Sequence, residues 1–156
     1  MGKIIRVAIA DLGVAKADDR LFTVVGSCIA IMLYDKVKRI GGMLHIMLGY
    51  SRQRQDNICK YADSGIPYLI DCLVKSGAGR QRIQGAKIAG GSVMLAKTDQ
   101  HNIAVENRIA TYNVLQKHDI KVIASDCGGD FGRRITFDTA TGKVQIESRN
   151  GYLKTI

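Results

Sequence analysis

Two apolar runs separated by a short basic segment dominate the chain. They are Ile29-Ala30-Ile31-Met32-Leu33-Tyr34-Asp35 and Ile40-Gly41-Gly42-Met43-Leu44-His45-Ile46-Met47-Leu48, with Lys36-Val37-Lys38-Arg39 between them. Each run is long enough for a buried strand and the connector suits an exposed turn, so the pair predicts an antiparallel hairpin. Upstream, Lys3 to Ala10 predicts a strand, Asp11 to Arg20 a polar loop, and Leu21-Phe22-Thr23-Val24-Val25 a strand leading into Gly26-Ser27-Cys28. Downstream, Gly49 to Asn57 is basic and without periodicity, an exposed loop.

Ile58, Tyr61, Ala62, Gly65, Ile66, Leu69, Ile70 and Leu73 recur at helical spacing and predict an amphipathic helix ending near Gly77. Pro67 leaves two starts open: Ser64 as N-cap, with the proline in the first turn, or a start near Lys60 with a kink at Pro67. Ala86-Lys87-Ile88-Ala89 predicts a short strand running into a tight turn at Gly90-Gly91-Ser92, where the Walker spacing and its lysine are absent. A second helix is expected from an N-cap at Asn102 to His118, with Ile103, Ala110, Val114 and Leu115 on its apolar side and surface or capping roles for His101 and His118. Lys121 to Ser125 predicts a strand, and Asp126 to Arg134 a glycine-dense loop of the kind that serves a site. Ile135 to Asp138 and Lys143 to Glu147 form a closing hairpin about Thr139-Ala140-Thr141-Gly142. About seven strands and two helices in this order favour an α+β fold, a mixed β-sheet sandwich with helices packed on one side.

Composition narrows the class. With 156 residues, 46% hydrophobic and a single Pro, the chain suits one domain spanning residues 1–156. No apolar run reaches transmembrane length, and the opening Met1-Gly2-Lys3-Ile4-Ile5-Arg6 lacks the apolar stretch and cleavage site of a signal peptide, so a cytoplasmic protein is expected. Cys28, Cys59, Cys72 and Cys127 contain no CxxC pair, which argues against a metal centre and, with that location, for free thiols; no cofactor motif is present. Cys59 and Cys72 read as structural helix residues. The net charge of +9 implies an acidic partner. Nucleic acid is the weaker choice, because Lys and Arg are spread along the chain and the Arg-rich loop 49–57 offers only Tyr50 for stacking. A noncatalytic basic interaction or nucleic-acid-binding module is the alternative to an enzyme.

The chemistry turns on Cys28 and His45. If Asp35 pairs with Ile40 across a four-residue turn, Ala30 faces His45, and Cys28 becomes a diagonal neighbour of His45 on the same face, with Cβ atoms roughly 7 to 8 Å apart. A three-residue turn would put the two on opposite faces, and a two-residue turn at Lys36-Val37 would demand positive φ from Lys and a β-branched Val. The thiolate is the reactive form of cysteine, and an adjacent imidazole can take its proton and return it to a leaving group. Cys28 is therefore expected to be the low-pKa thiol of the chain, with Cys127 in the glycine-dense loop as its rival. Small residues before the sulfur would let the backbone N–H groups of Ser27 and Cys28 approach an oxyanion.

These residues resemble the CheD family of chemoreceptor glutamine deamidases. The resemblance is carried by Gly26-Ser27-Cys28 with the run to Asp35, His45-Ile46-Met47-Leu48, Lys60-Tyr61-Ala62-Asp63, Lys87-Ile88-Ala89-Gly90-Gly91-Ser92-Val93-Met94, and Asp126-Cys127-Gly128-Gly129 through Gly132-Arg133 to Thr141-Gly142. It implies a cysteine-hydrolase fold like that of deamidating bacterial toxins and an activity that converts receptor Gln side chains to Glu. It implies Cys28 as nucleophile, His45 as acid/base and Thr23 as a further site residue. The implied partners are the cytoplasmic helices of chemoreceptors as substrate and a CheC-type phosphatase as regulator. The chain departs from the family pattern at Gly49, where Pro is usual, and at Ala104-Val105-Glu106-Asn107, where Gly-x-Arg-Asn is usual.

Overall fold

A computed structural model describes residues 2–93 and 98–156, with the side chains of 98–101 excepted. Met94 of the Lys87–Met94 motif and the expected role of the His101 side chain lie outside the described residues. In chain order the elements are β1 (Ile4–Arg6), β2 (Asp11–Lys16), β3 (Arg20–Val25), β4 (Ile29–Asp35), β5 (Ile40–Ile46), α1 (Ala62–Lys75), β6 (Gly85–Gly90), α2 (Thr98–Lys117), β7 (Lys121–Cys127), β8 (Arg133–Asp138), β9 (Val144–Glu147) and β10 (Leu153–Thr155). Single 3-10 turns lie at Ile58–Lys60, which holds Cys59, and at Arg80–Arg82.

The strands form two sheets, ordered β1-β3-β8-β9-β10 and β2-β5-β4-β6-β7. Each is mixed: β1 runs parallel to β3 and β6 parallel to β7, and the remaining pairs are antiparallel. Alternate residues of β4 divide the core. Ile29, Ile31 and Leu33 join Ile66, Leu69 and Leu73 of α1 and Val114 and Leu115 of α2 in one cluster. Ala30 and Met32 join Leu21, Val25, Ile135 and Phe137 of the other sheet in a second. The order of layers is therefore sheet, sheet, helices, the α+β sandwich with helices on one side. Because β4 and β5 are covered on both faces, they read in sequence as continuous apolar runs rather than as alternation. Among the described residues no helix is long and apolar enough to cross a membrane.

Several expectations are corrected. The strand expected over Lys3 to Ala10 is only Ile4–Arg6, and the expected polar loop Asp11 to Arg20 contains β2, an edge strand paired to β5 from Asp11↔His45 to Lys16↔Ile40. With the short β10, the described residues hold ten strands, more than the expected seven or so. The first helix follows the second of its two starts: its N-cap is Tyr61, and Pro67 sits inside it, where its missing N–H leaves the Asp63 carbonyl without the usual helical donor. The second helix begins at Thr98, not after an N-cap at Asn102. The strand expected to end at Ser125 runs on to Cys127 because Asp126 and Cys127 pair with Ala89 and Gly90 of β6.

Candidate active site

The hairpin register is Asp35↔Ile40 through Ala30↔His45, so residues 36–39 form a four-residue turn and the shorter turns are excluded. The buried Asp35 holds that turn, its Oδ1 accepting from the N–H groups of Val37 at 3.0 Å and Lys38 at 3.1 Å and its Oδ2 from Gly79 at 2.8 Å. The guanidinium of Arg82, bonded to Asp35 at 2.9 Å, and these N–H groups keep the carboxyl well below the usual carboxylate range.

His45 faces the other sheet, and there it meets Thr23 of β3: the Thr23 hydroxyl lies 2.8 Å from His45 Nδ1 and 2.8 Å from the Val7 carbonyl oxygen. A hydroxyl has one proton and a carbonyl can only accept, so the Thr23 proton is committed to Val7 and Thr23 Oγ1 accepts from Nδ1–H. That selects the tautomer in which Nε2 carries the free lone pair. Nε2 is buried and has no hydrogen-bond partner among the described residues.

Cys28 lies just before β4, half-buried, and shares with His45 a cleft of about 470 Å³ lined also by Arg6, Val7, Ala8, Ile9, Thr23, Val24, Gly26 and Ser27. The sulfur makes no hydrogen bond to Nε2, a looseness common in sites without substrate. Burial pushes the Cys28 thiol up, its own backbone N–H opposing this more weakly, and pushes His45 down to about 4. This reverses the expected low-pKa thiol: the pair rests as neutral thiol and neutral imidazole. Cys59 is pushed up to about 11 and Cys127 is also raised, both by burial. Cys127 opens into a different cleft, with Arg108 and Lys154 among its lining and no histidine among the described residues.

The backbone around Cys28 is braced from β6. Gly91 N–H donates to the Cys28 carbonyl and Ser92 N–H to the Gly26 carbonyl, each at 2.9 Å. Among the described residues neither Ser27 nor Cys28 spends its own N–H on a backbone carbonyl. Ser92 is in turn held by the glycine-dense loop, its Oγ donating to the Phe131 carbonyl at 2.7 Å and accepting from Arg133, whose Nε meets Asp126 at 3.0 Å. That loop serves the site from behind rather than lining it. Ser92 and Arg133 stood in the turn and loop singled out in sequence, but what they hold, and the part played by the Val7 carbonyl, could not be read there, because each acts across a sheet or through backbone and no spacing marks such contacts.

No cluster of three or more His, Cys, Asp or Glu side chains suited to a metal occurs among the described residues. What the arrangement offers is a thiol, an imidazole whose basic nitrogen is buried, and the backbone N–H groups of Ser27 and Cys28, which make no bond to a backbone carbonyl among the described residues. That is a set suited to acyl transfer through a thioester.

Comparison with known proteins places these features in context. A family model described as "CheD: CheD chemotactic sensory transduction" matches residues 47–148. A protein of Methanococcus maripaludis strain C5 is 39% identical over 155 residues, covering 98% of this chain and 99% of its own length. One from Syntrophomonas wolfei is 43% identical, covering 95% of each chain, and one from Caldanaerobacter subterraneus subsp. tengcongensis is 41% identical, covering 99% of this chain and 98% of its own. All three carry the name "Probable chemoreceptor glutamine deamidase CheD".

Proposed function

Since the chain belongs to the CheD family, we propose that it deamidates glutamine side chains of chemoreceptors in chemotaxis, with Cys28 as nucleophile, His45 as acid/base and Thr23 as the residue that orients His45. The observation that carries the residue assignment is the tautomer set by Thr23, which leaves Nε2 basic and without a partner among the described residues, on a histidine that shares a cleft with Cys28.

From a neutral pair, attack and proton transfer go together. The Cys28 sulfur adds to the side-chain amide carbon of a substrate Gln while Nε2 takes the thiol proton. The N–H groups of Ser27 and Cys28 stabilise the oxyanion. Imidazolium Nε2–H then protonates the leaving nitrogen, ammonia departs, and a thioester joins Cys28 to the substrate. Water attacks the thioester carbon as Nε2 removes its proton, and collapse releases Glu and restores the thiol. The sum is Gln plus water giving Glu plus ammonia.

The sandwich acts as a cysteine-hydrolase scaffold of the kind found in deamidating toxins, and residues 1–156 form one domain working in the cytoplasm. A CheC-type phosphatase regulates it. The noncatalytic and nucleic-acid-binding alternatives are disfavoured by the inward-facing imidazole, which binding alone does not require.

The test is incubation with purified chemoreceptor cytoplasmic fragments and mass mapping of Gln-to-Glu changes. Wild-type protein adds about 1 Da at specific glutamines, and Cys28→Ala, which leaves only a small cavity, folds and adds none. A folded Cys28→Ala protein with full activity would sink the mechanism.

A further inference from the structure

Asn107 of α2 is 1% exposed, and its side-chain amide reaches both arms of the proposed catalytic pair. Nδ2 donates to the Met47 carbonyl at 3.0 Å and to the Ser27 carbonyl at 3.4 Å. Ser27 immediately precedes the nucleophile, and Met47 lies two positions beyond His45 at the end of β5. We propose that Asn107 is a positioning residue, whose two amide protons clamp the Cys28 loop to the end of β5 and so set the separation of the Cys28 sulfur from His45 Nε2. The proposal rests on the reading of Cys28 and His45 as the reacting pair.

Three features support it. The two N–H bonds of a primary amide lie in a rigid planar fork, so spending both fixes where the two carbonyls stand relative to each other. The other braces on the Cys28 loop, from Gly91 and Ser92, tie it to β6 and do not touch β5. Asn107 thus adds a side-chain link between the loop and the residue that follows β5, beside the backbone pairing of Ile29 with Ile46. Finally, Asn107 Oδ1 is buried without a donor among the described residues. The hydrogen bonding of this buried amide therefore lies in its nitrogen, which serves two carbonyls, while its oxygen is left without a donor. The helix that presents it is set close, because a Cβ added at Gly49 would stand 2.5 Å from Ala110 Cβ and 3.2 Å from the Glu106 carbonyl oxygen.

Asn107→Leu keeps the branched shape and the number of side-chain heavy atoms and removes both donors. Three quantities are measured on the full chain: the thermal midpoint, kcat and KM on a receptor fragment, and the pH dependence of Cys28 alkylation by iodoacetamide, followed by peptide mass. The expected result is a folded protein whose kcat falls roughly 10- to 100-fold with KM within about twofold, as when reacting groups are held out of line. With Asn107 intact, His45→Asn is expected to slow Cys28 alkylation; in the Asn107→Leu background that dependence is expected to vanish. A lowered thermal midpoint with wild-type kcat and a wild-type alkylation profile would show a merely structural residue and overturn the proposal. Should Asn107→Leu fail to fold, Asn107→Ser, too short to reach both carbonyls, is judged by the same readings. Alkylation needs no substrate, so a protein inert toward receptor fragments but showing the His45 and Asn107 dependence would refute the deamidase reading while upholding the clamp. Cys28 alkylation indifferent to His45 in the wild type would refute the clamp.

Discussion

The Thr23 hydroxyl has a single proton, and its use decides which nitrogen of His45 can act as a base. Thr23→Val keeps the shape and removes the acceptor for Nδ1–H, so the imidazole is free to invert its tautomer and present Nε2–H to the sulfur. We expect kcat to fall on the order of 10²-fold with the fold intact, as for loss of a group that orients a general base; an unchanged kcat in the folded variant would remove Thr23 from the site. The pH profile tests the same residue from another side. His45 must be neutral to accept a proton, and burial lowers its pKa from 6.5 to about 4. Activity should therefore persist as pH falls through 6.5 and be lost only as it approaches about 4. An acid limb of kcat/KM near 6.5 would mean that His45 is not held in the buried, neutral state the structure gives it. Cys28 and His45 could be singled out in sequence because a strand period of two brings them together once the turn length is known. Thr23 lies on another sheet, and only the family resemblance pointed to it.

Among the elements, the end of β6 bears most directly on the nucleophile. Gly90 has φ +121, a conformation L side chains rarely adopt, and a Cβ there would stand 2.2 Å from the Cys28 carbonyl oxygen. Gly90→Ala is expected to lower stability by about 2 kcal/mol or more and to reduce deamidation further than the loss of folded protein accounts for. Denaturant unfolding beside kcat per folded molecule measures both; a stable, fully active Gly90→Ala variant would show that the Cys28 loop tolerates displacement. The Gly90-Gly91-Ser92 turn was legible as a close backbone approach, although what it approaches was not. The hairpin of β4 and β5 was legible because both strands are buried on both faces. β2 was not, because it is a short edge strand with exposed polar ends, whose stability comes from a ladder to β5 that is remote in sequence.

At the scale of the molecule, the net charge of +9 bears on encounter with substrate more than on chemistry. If docking joins this basic protein to acidic receptor helices, raising salt from about 50 to about 300 mM should raise KM severalfold and leave kcat nearly unchanged, because exposed charges are screened and the enclosed site is not. A KM insensitive to salt would assign docking to apolar contacts such as Ile9 and Val24, which are 53% and 50% exposed at the cleft.

Local pattern by itself determined the α+β class, the presence of both helices and the central hairpin, since each follows from burial periodicity over a few residues, whereas the four-residue turn that puts Cys28 diagonal to His45 was one of three lengths the pattern allowed and was fixed by the register. Three-dimensional packing alone decided that Thr23 reaches His45 across the gap between sheets and that Val7 takes its proton. It also decided that Asn107 bridges Ser27 and Met47 from a helix. The protonation state belongs to packing as well. Burial raises the thiol and lowers the imidazole, so the surrounding core, by removing the water that would stabilise their charges, holds both groups more firmly in their neutral forms.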